Sequence, residues 1–169
     1  MQFSLAVLAA LVPAIWAQCP SVEFIYARAT TEPPQNYGND FDGAAAQTWS
    51  RGYGAAGYSL FTNITALIPD AAGHPVHYPA SMGDSMPIGV QDYLSHLGET
   101  AQRCPDTKFA LGGHSQGGMV TVQVIPQIPA NILSRVISVT MFGSPACPTQ
   151  VSGRCMSYCH SGDFVSDSA

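Results

Sequence analysis

Apolar positions along the chain fall into short blocks separated by turn residues. Residues 22–27 form a mainly apolar run and predict a buried strand. Residues 60–67 and 76–78 read as further strand material. Val90, Tyr93, Leu94 and Leu97 recur at i, i+3, i+4 and i+7, the single apolar stripe of a helix. That helix should end near Arg103, before Cys104 and Pro105. Residues 107–111 and 135–142 predict strands, and residues 119–125 predict a helix ended by Pro126 and Pro129. A short last strand is expected at 156–159. Asp42 is a candidate cap for a helix through Ala44, Ala45, Ala46 and Trp49, frayed by Gly52 and Gly54. Residues 28–39, with Pro33, Pro34 and Gly38, and residues 79–88 read as loops. Strands alternating with helices predict an α/β fold with a largely parallel sheet. Helices should cover both faces, and active residues should lie at the carboxyl ends of the strands.

The length of 169 residues allows one domain of ordinary size. Residues 3–15 are apolar except for Ser4 and Pro13. A bilayer span needs about 20 apolar residues, so this run matches a signal-peptide core instead. Residues 1–17 are therefore expected to be a signal peptide cut after Ala17, leaving a secreted domain at 18–169. The segment before the run has no Lys or Arg, and the alternative is a buried N-terminal helix. No later segment is apolar enough to predict a membrane span, and a soluble monomer is expected. Only 10% of residues are charged, the net charge is −5, and Lys108 is the one lysine. That balance argues against nucleic acid or an anionic membrane as the partner. Cys19, Cys104, Cys147, Cys155 and Cys159 make five cysteines, so they cannot all pair within one chain. Asn63-Ile64-Thr65 is a glycosylation sequon that suits a surface position.

Candidate chemistry centres on Gly113-His114-Ser115-Gln116-Gly117, a G-x-S-x-G pattern. A strand must turn sharply into a helix there and hold the serine with its hydroxyl outward. Flanking glycines remove side chains that would clash, and the helix N-terminus aims N–H groups at the reacting centre. The apolar run before the motif and the helix pattern after it are the context this motif requires. The competing reading is a glycine-rich turn with a structural serine. His74 and His77 have no further ligand at metal spacing along the chain, so no metal and no cofactor is expected.

Four ordered segments resemble the cutinase family of secreted serine esterases, which includes acetylxylan esterases. They are residues 24–32 (FIYARATTE), 78–84 (YPASMGD), 104–107 (CPDT) with 113–117 (GHSQG), and 158–165 (YCHSGDFV). The resemblance implies a three-layer α/β/α sandwich around a mostly parallel sheet, a minimal α/β-hydrolase. It implies Ser115 as nucleophile, Asp163 as the acidic triad member, and an oxyanion hole from the N–H groups of Thr30 and Gln116 with the Thr30 hydroxyl. It also implies a Cys19–Cys104 disulfide. Ala29 stands where the family more often has Gly, and His114 where it more often has Tyr. The implied partner is an ester: a cutin-like polyester, a lipid ester or an acetylated polysaccharide. Met82, Met86, Pro87 and Ile88 would form an apolar lip, which leans towards lipid or polyester.

The triad order of this fold is Ser, Asp, His. No histidine follows Asp163 in this sequence. If Cys19 pairs with Cys104 and Cys147 with Cys155, Cys159 is the odd cysteine, and the family's partner for it would stand where this chain has Ser166. Both features point to a sequence that ends early and lacks the last helix of the family. His160, three residues before Asp163, is the alternative base. A non-catalytic protein on an esterase scaffold and a damaged gene product are the competing readings.

Overall fold

Val22–Ala27 (β1) is buried along its whole length because it lies inside a sheet with strands on both sides. In this computed structural model, which describes residues 19–32, 52–144 and 146–163, its neighbours are Ala72–Pro75 (β2) and Lys108–His114 (β3). Val136–Phe142 (β4) and Cys155–Tyr158 (β5) complete the order β2-β1-β3-β4-β5, and every pairing is parallel. The expected signal peptide at 1–17, the helix expected through Trp49 and the end of the 158–165 segment lie outside the described residues.

Side chains alternate across the sheet, so each strand feeds two cores. Phe24 and Tyr26 pack with Tyr53, Tyr58, Phe61 and Ile64 on one face, under Gly54–Leu67 (α1). Ile25, Ala27, Phe109, Leu111, Val139 and Met141 form the larger core on the other face. Met86–Arg103 (α2) and Gln116–Val124 (α3) cover it with Tyr93, Leu97, Val120 and Val124. The Tyr93 hydroxyl fixes α2 to the sheet, donating to the Ile25 carbonyl at 2.8 Å and accepting the Gly112 N–H at 3.1 Å. A one-turn helix, Ala130–Leu133 (α4), and 3-10 turns at Ile125–Gln127 and Thr149–Arg154 connect the later strands.

Residues 60–67, expected as strand, belong to α1. The β-type residues Phe61, Thr62, Ile64 and Thr65 suggest a strand, but packing decides. Tyr58, Phe61, Ile64 and Ile68 recur at helical spacing against the sheet. A Cβ at Gly57 would lie 2.3 Å from the Tyr26 ring, so that glycine lets the helix sit down on β1. The strand expected at 76–78 is displaced to Ala72–Pro75, an edge strand whose end tolerates Pro75. Val76 and Tyr78 instead enter the larger core. The helix expected from 119 begins at Gln116, and α2 begins at Met86 inside the expected loop.

Candidate active site

Strand β3 ends at His114 and α3 starts at Gln116, so Ser115 makes the whole turn. Its φ of 51° and ψ of −116° are a strained conformation for a residue with a Cβ. Strain of this kind costs about 1–3 kcal/mol and persists only where neighbours fix it. The Ser115 N–H donates to the Phe142 carbonyl at 2.9 Å, and its own carbonyl accepts the Met119 N–H at 3.1 Å. A Cβ on Gly113 would lie 2.2 Å from the Gly117 carbonyl oxygen, and one on Gly117 would lie 2.0 Å from that of Ala27. Strand, turn and helix approach too closely for any side chain at those two places. Among the described residues no side chain hydrogen-bonds the Ser115 hydroxyl.

Gln116 opens α3, so its N–H is one that a helix leaves without an internal acceptor, at the positive end of the helix dipole. Its buried side chain donates to the Ser81 carbonyl at 2.9 Å and accepts the Ser85 hydroxyl at 3.3 Å. Thr30 lies in the loop after β1, and the next residue, Thr31 (φ 64°), donates its N–H to the Ala80 carbonyl at 2.7 Å. Thr30, Gln116 and the 79–85 segment are thereby tied together around the turn.

Two residues that sequence reasoning passed over hold this loop. Buried Arg28 donates to the Glu32 carbonyl at 2.6 Å, the Val76 carbonyl at 3.5 Å and the Tyr78 carbonyl at 2.6 Å. The Tyr78 hydroxyl donates back to the Arg28 carbonyl. The Glu32 carboxylate accepts the Ala29 N–H at 2.7 Å and the Ala55 N–H at 3.3 Å, and lies 3.7 Å from His114 Nδ1. At that distance the His114 contact is longer than a hydrogen bond. Burial alone would raise the Glu32 pKa; His114 and the two N–H donors outweigh it and hold the carboxyl below its ordinary value. Both residues sit inside the FIYARATTE segment, which was the only signal available.

A folded-state pKa below the unfolded one gives stability that is present above the ordinary carboxylate range and is lost as pH falls through the lowered value. Glu32→Gln is therefore expected to cost about 1.5–3 kcal/mol near neutral pH, the scale of a charge-assisted hydrogen bond. The difference from the parent chain should shrink below about pH 4. Urea denaturation of both proteins between pH 3 and 7 measures it.

Asp163 lies at the same end of the sheet. Its Oδ2 is 2.8 Å from the point a Cβ on Gly143 would occupy, and Gly143 directly follows Phe142, the acceptor for Ser115. The Asp163 N–H donates to the His160 carbonyl at 3.0 Å, closing the turn after β5. Exposed His160 has its Nδ1 2.9 Å from the Ser161 carbonyl. His114 faces Glu32, while His74, His77 and His96 gather beside the β2 edge. Met82, Pro87 and Ile88 are exposed around the 79–88 segment, with Met82 83% exposed, whereas Met86 packs into the larger core. Asn63 is exposed on α1, and its Nδ2 donates to the Ser59 carbonyl at 2.8 Å.

Disulfides join Cys19 to Cys104 and Cys147 to Cys155, with Cα separations of 5.5 and 5.9 Å. Cys159 is in neither bridge, and its thiol donates to the Ser144 carbonyl at 3.5 Å.

A parallel sheet flanked by helices, with a glycine-framed serine at a strand-to-helix turn, defines an α/β-hydrolase-like fold. The cutinase family model matches residues 18–169, and the chain belongs to that family. A cutinase from Kineococcus radiotolerans is 31% identical over 177 aligned positions, covering 90% of this chain. A cutinase from Botryotinia fuckeliana is 29% identical over 166 positions, covering 95% of it. The chain spans 53% of the first relative and 77% of the second. Trichoderma reesei cutinase in complex with a phosphonate inhibitor superposes with a TM-score of 0.69 at 23% identity, over 89% of this chain and 66% of that one.

Proposed function

We propose that this chain is the framework of a secreted carboxylic ester hydrolase with Ser115 as its nucleophile. The strained, glycine-framed turn at Ser115 carries the reading. Ser115 Oγ adds to the ester carbonyl, and the developing oxyanion accepts the N–H groups of Thr30 and Gln116 and the Thr30 hydroxyl. A base, imidazole in the assay below, takes the Ser115 proton and hands it to the departing alcohol, and water then adds to the acyl-enzyme through the same base and releases the acid. Removing one such donor from an oxyanion hole costs about 2.7–4 kcal/mol. Asp163 would orient and charge-stabilise the base that takes the Ser115 proton. Two disulfides fit an oxidising compartment, and no described helix is long and apolar enough to cross a membrane. Exposed Met82, Pro87 and Ile88 favour an ester with an apolar acyl chain over an acetylated sugar.

A second reading is a non-catalytic protein on an esterase scaffold. It is favoured by the histidines: His74 meets Asp92, His96 meets Glu23, His114 meets Glu32 and His160 meets the Ser161 carbonyl. The two readings separate in a nitrophenyl butyrate assay with added imidazole as a surrogate base. Ester hydrolase machinery gives an imidazole-dependent rate above that of Ser115→Ala. A scaffold without such machinery gives identical rates for the two proteins.

A further inference from the structure

His74 lies on β2, His77 follows it, and Asp92 and His96 project one turn apart from α2. Along the chain the His74-x-x-His77 pair has no third ligand; in space Asp92 supplies one. His74 Nε2 is 2.8 Å from Asp92 Oδ2, and the same oxygen accepts the His77 backbone N–H at 2.8 Å. One ligand atom from each of His74, His77 and Asp92 falls within 4.8 Å of the other two. Behind them the His96 ring stacks on His74 at 3.7 Å and 6°, with His96 Nε2 2.8 Å from Glu23 Oε1.

We propose that His74, His77 and Asp92 form a binding site for one divalent transition-metal ion of the zinc class, separate from the Ser115 site. Two imidazoles and a carboxylate are a borderline donor set, which suits Zn²⁺ and its neighbours rather than Mg²⁺ or Ca²⁺. Tetrahedral zinc with bonds near 2.0–2.1 Å needs ligand atoms about 3.3 Å apart. The His74–Asp92 pair, at 2.8 Å, has to open by about 0.5 Å, and His77, whose exposed side chain has room to swing in, has to close. The metal takes the place of the His74–Asp92 hydrogen bond, with the neutral His74 ring carrying its one proton on Nδ1 and ligating through Nε2, and leaves a position open for water.

His96 packed against the His74 face, and Glu23 behind it, restrict the ring's rotation. A bound ion would clamp edge strand β2 to α2. It would therefore stabilise the fold through mass action rather than take part in ester cleavage.

The test is calorimetric titration of Zn²⁺ into the tag-free, chelator-stripped 169-residue chain. The expected result is one equivalent bound with micromolar or tighter affinity, a higher Tm with Zn²⁺, and neither effect with Mg²⁺. His77→Ala and Asp92→Asn should each weaken binding at least tenfold. His77→Ala changes an exposed side chain and keeps the fold, which a circular dichroism spectrum matching the parent would establish. Cys159→Ser with His160→Ala should leave binding unchanged. Absence of saturable binding, binding indifferent to both His77→Ala and Asp92→Asn, or binding lost with the Cys159 and His160 changes would overturn the site.

Discussion

Without an added base, the 169-residue chain should hydrolyse a short-chain nitrophenyl ester at roughly 10⁻⁵ s⁻¹, against about 10 s⁻¹ for an ordinary enzyme. The gap comes from the proton on Ser115. A serine hydroxyl is a poor nucleophile until a base takes that proton, and removing the histidine from a comparable triad costs about 2 × 10⁶ in turnover. What remains is oxyanion stabilisation and binding, worth about 10³–10⁴ over water. Thr30, Gln116 and the loop held by Arg28 and Glu32 would supply it here. Nitrophenol release by the parent chain and by Ser115→Ala measures the difference. A rate near 10 s⁻¹ that disappears in Ser115→Ala would mean that a base is already in place, and His160→Ala would be the variant to examine next.

Removing the Cys19–Cys104 bridge is expected to destabilise the fold by about 4.6 kcal/mol, on the view that it restrains the unfolded chain across a separation of 85 residues. Cys147–Cys155, with a separation of 8, is worth about 2.5 kcal/mol on the same basis. Domains are stable by about 5–15 kcal/mol in total, so losing the long bridge should leave only a marginal fold. Urea denaturation of Cys19→Ala/Cys104→Ala and of Cys147→Ala/Cys155→Ala checks the order. The long-bridge variant should show the lower ΔG of unfolding in water. A larger loss from the short bridge would mean that native packing around Cys155, rather than loop closure, dominates.

Elements whose own residues determine them were legible in the sequence. β1 matches its expected bounds because an apolar run buried on both faces needs no partner to be recognised. The end of α2 at Arg103 follows from its Cys-Pro terminator. α1 was misread because its identity depends on Gly57 meeting Tyr26, a contact across 31 residues of chain. β2 was misplaced because Ala72, Gly73, His74 and Pro75 have little strand character, and pairing to β1 makes them a strand. The same division runs through the site. Ser115 and its glycines form a local pattern, readable in five residues. Arg28 and Glu32 show their purpose only through Val76, Tyr78, Ala55 and His114, which the fold brings to them. The Asp92 contact to His74 was hidden for the same reason, since strand and helix meet there only after folding.

The assignment of Ser115 as the nucleophile is tested most directly by exhaustive reaction with a short-chain nitrophenyl alkylphosphonate, followed by peptide mass mapping. Such a reagent leaves a phosphonyl group on the oxygen that attacks it, and slow reaction does not matter because the adduct accumulates. The expected result is one adduct per chain, located on Ser115, slow to form, faster with imidazole and absent from Ser115→Ala. An adduct on another residue, or equal labelling of Ser115→Ala, would contradict it.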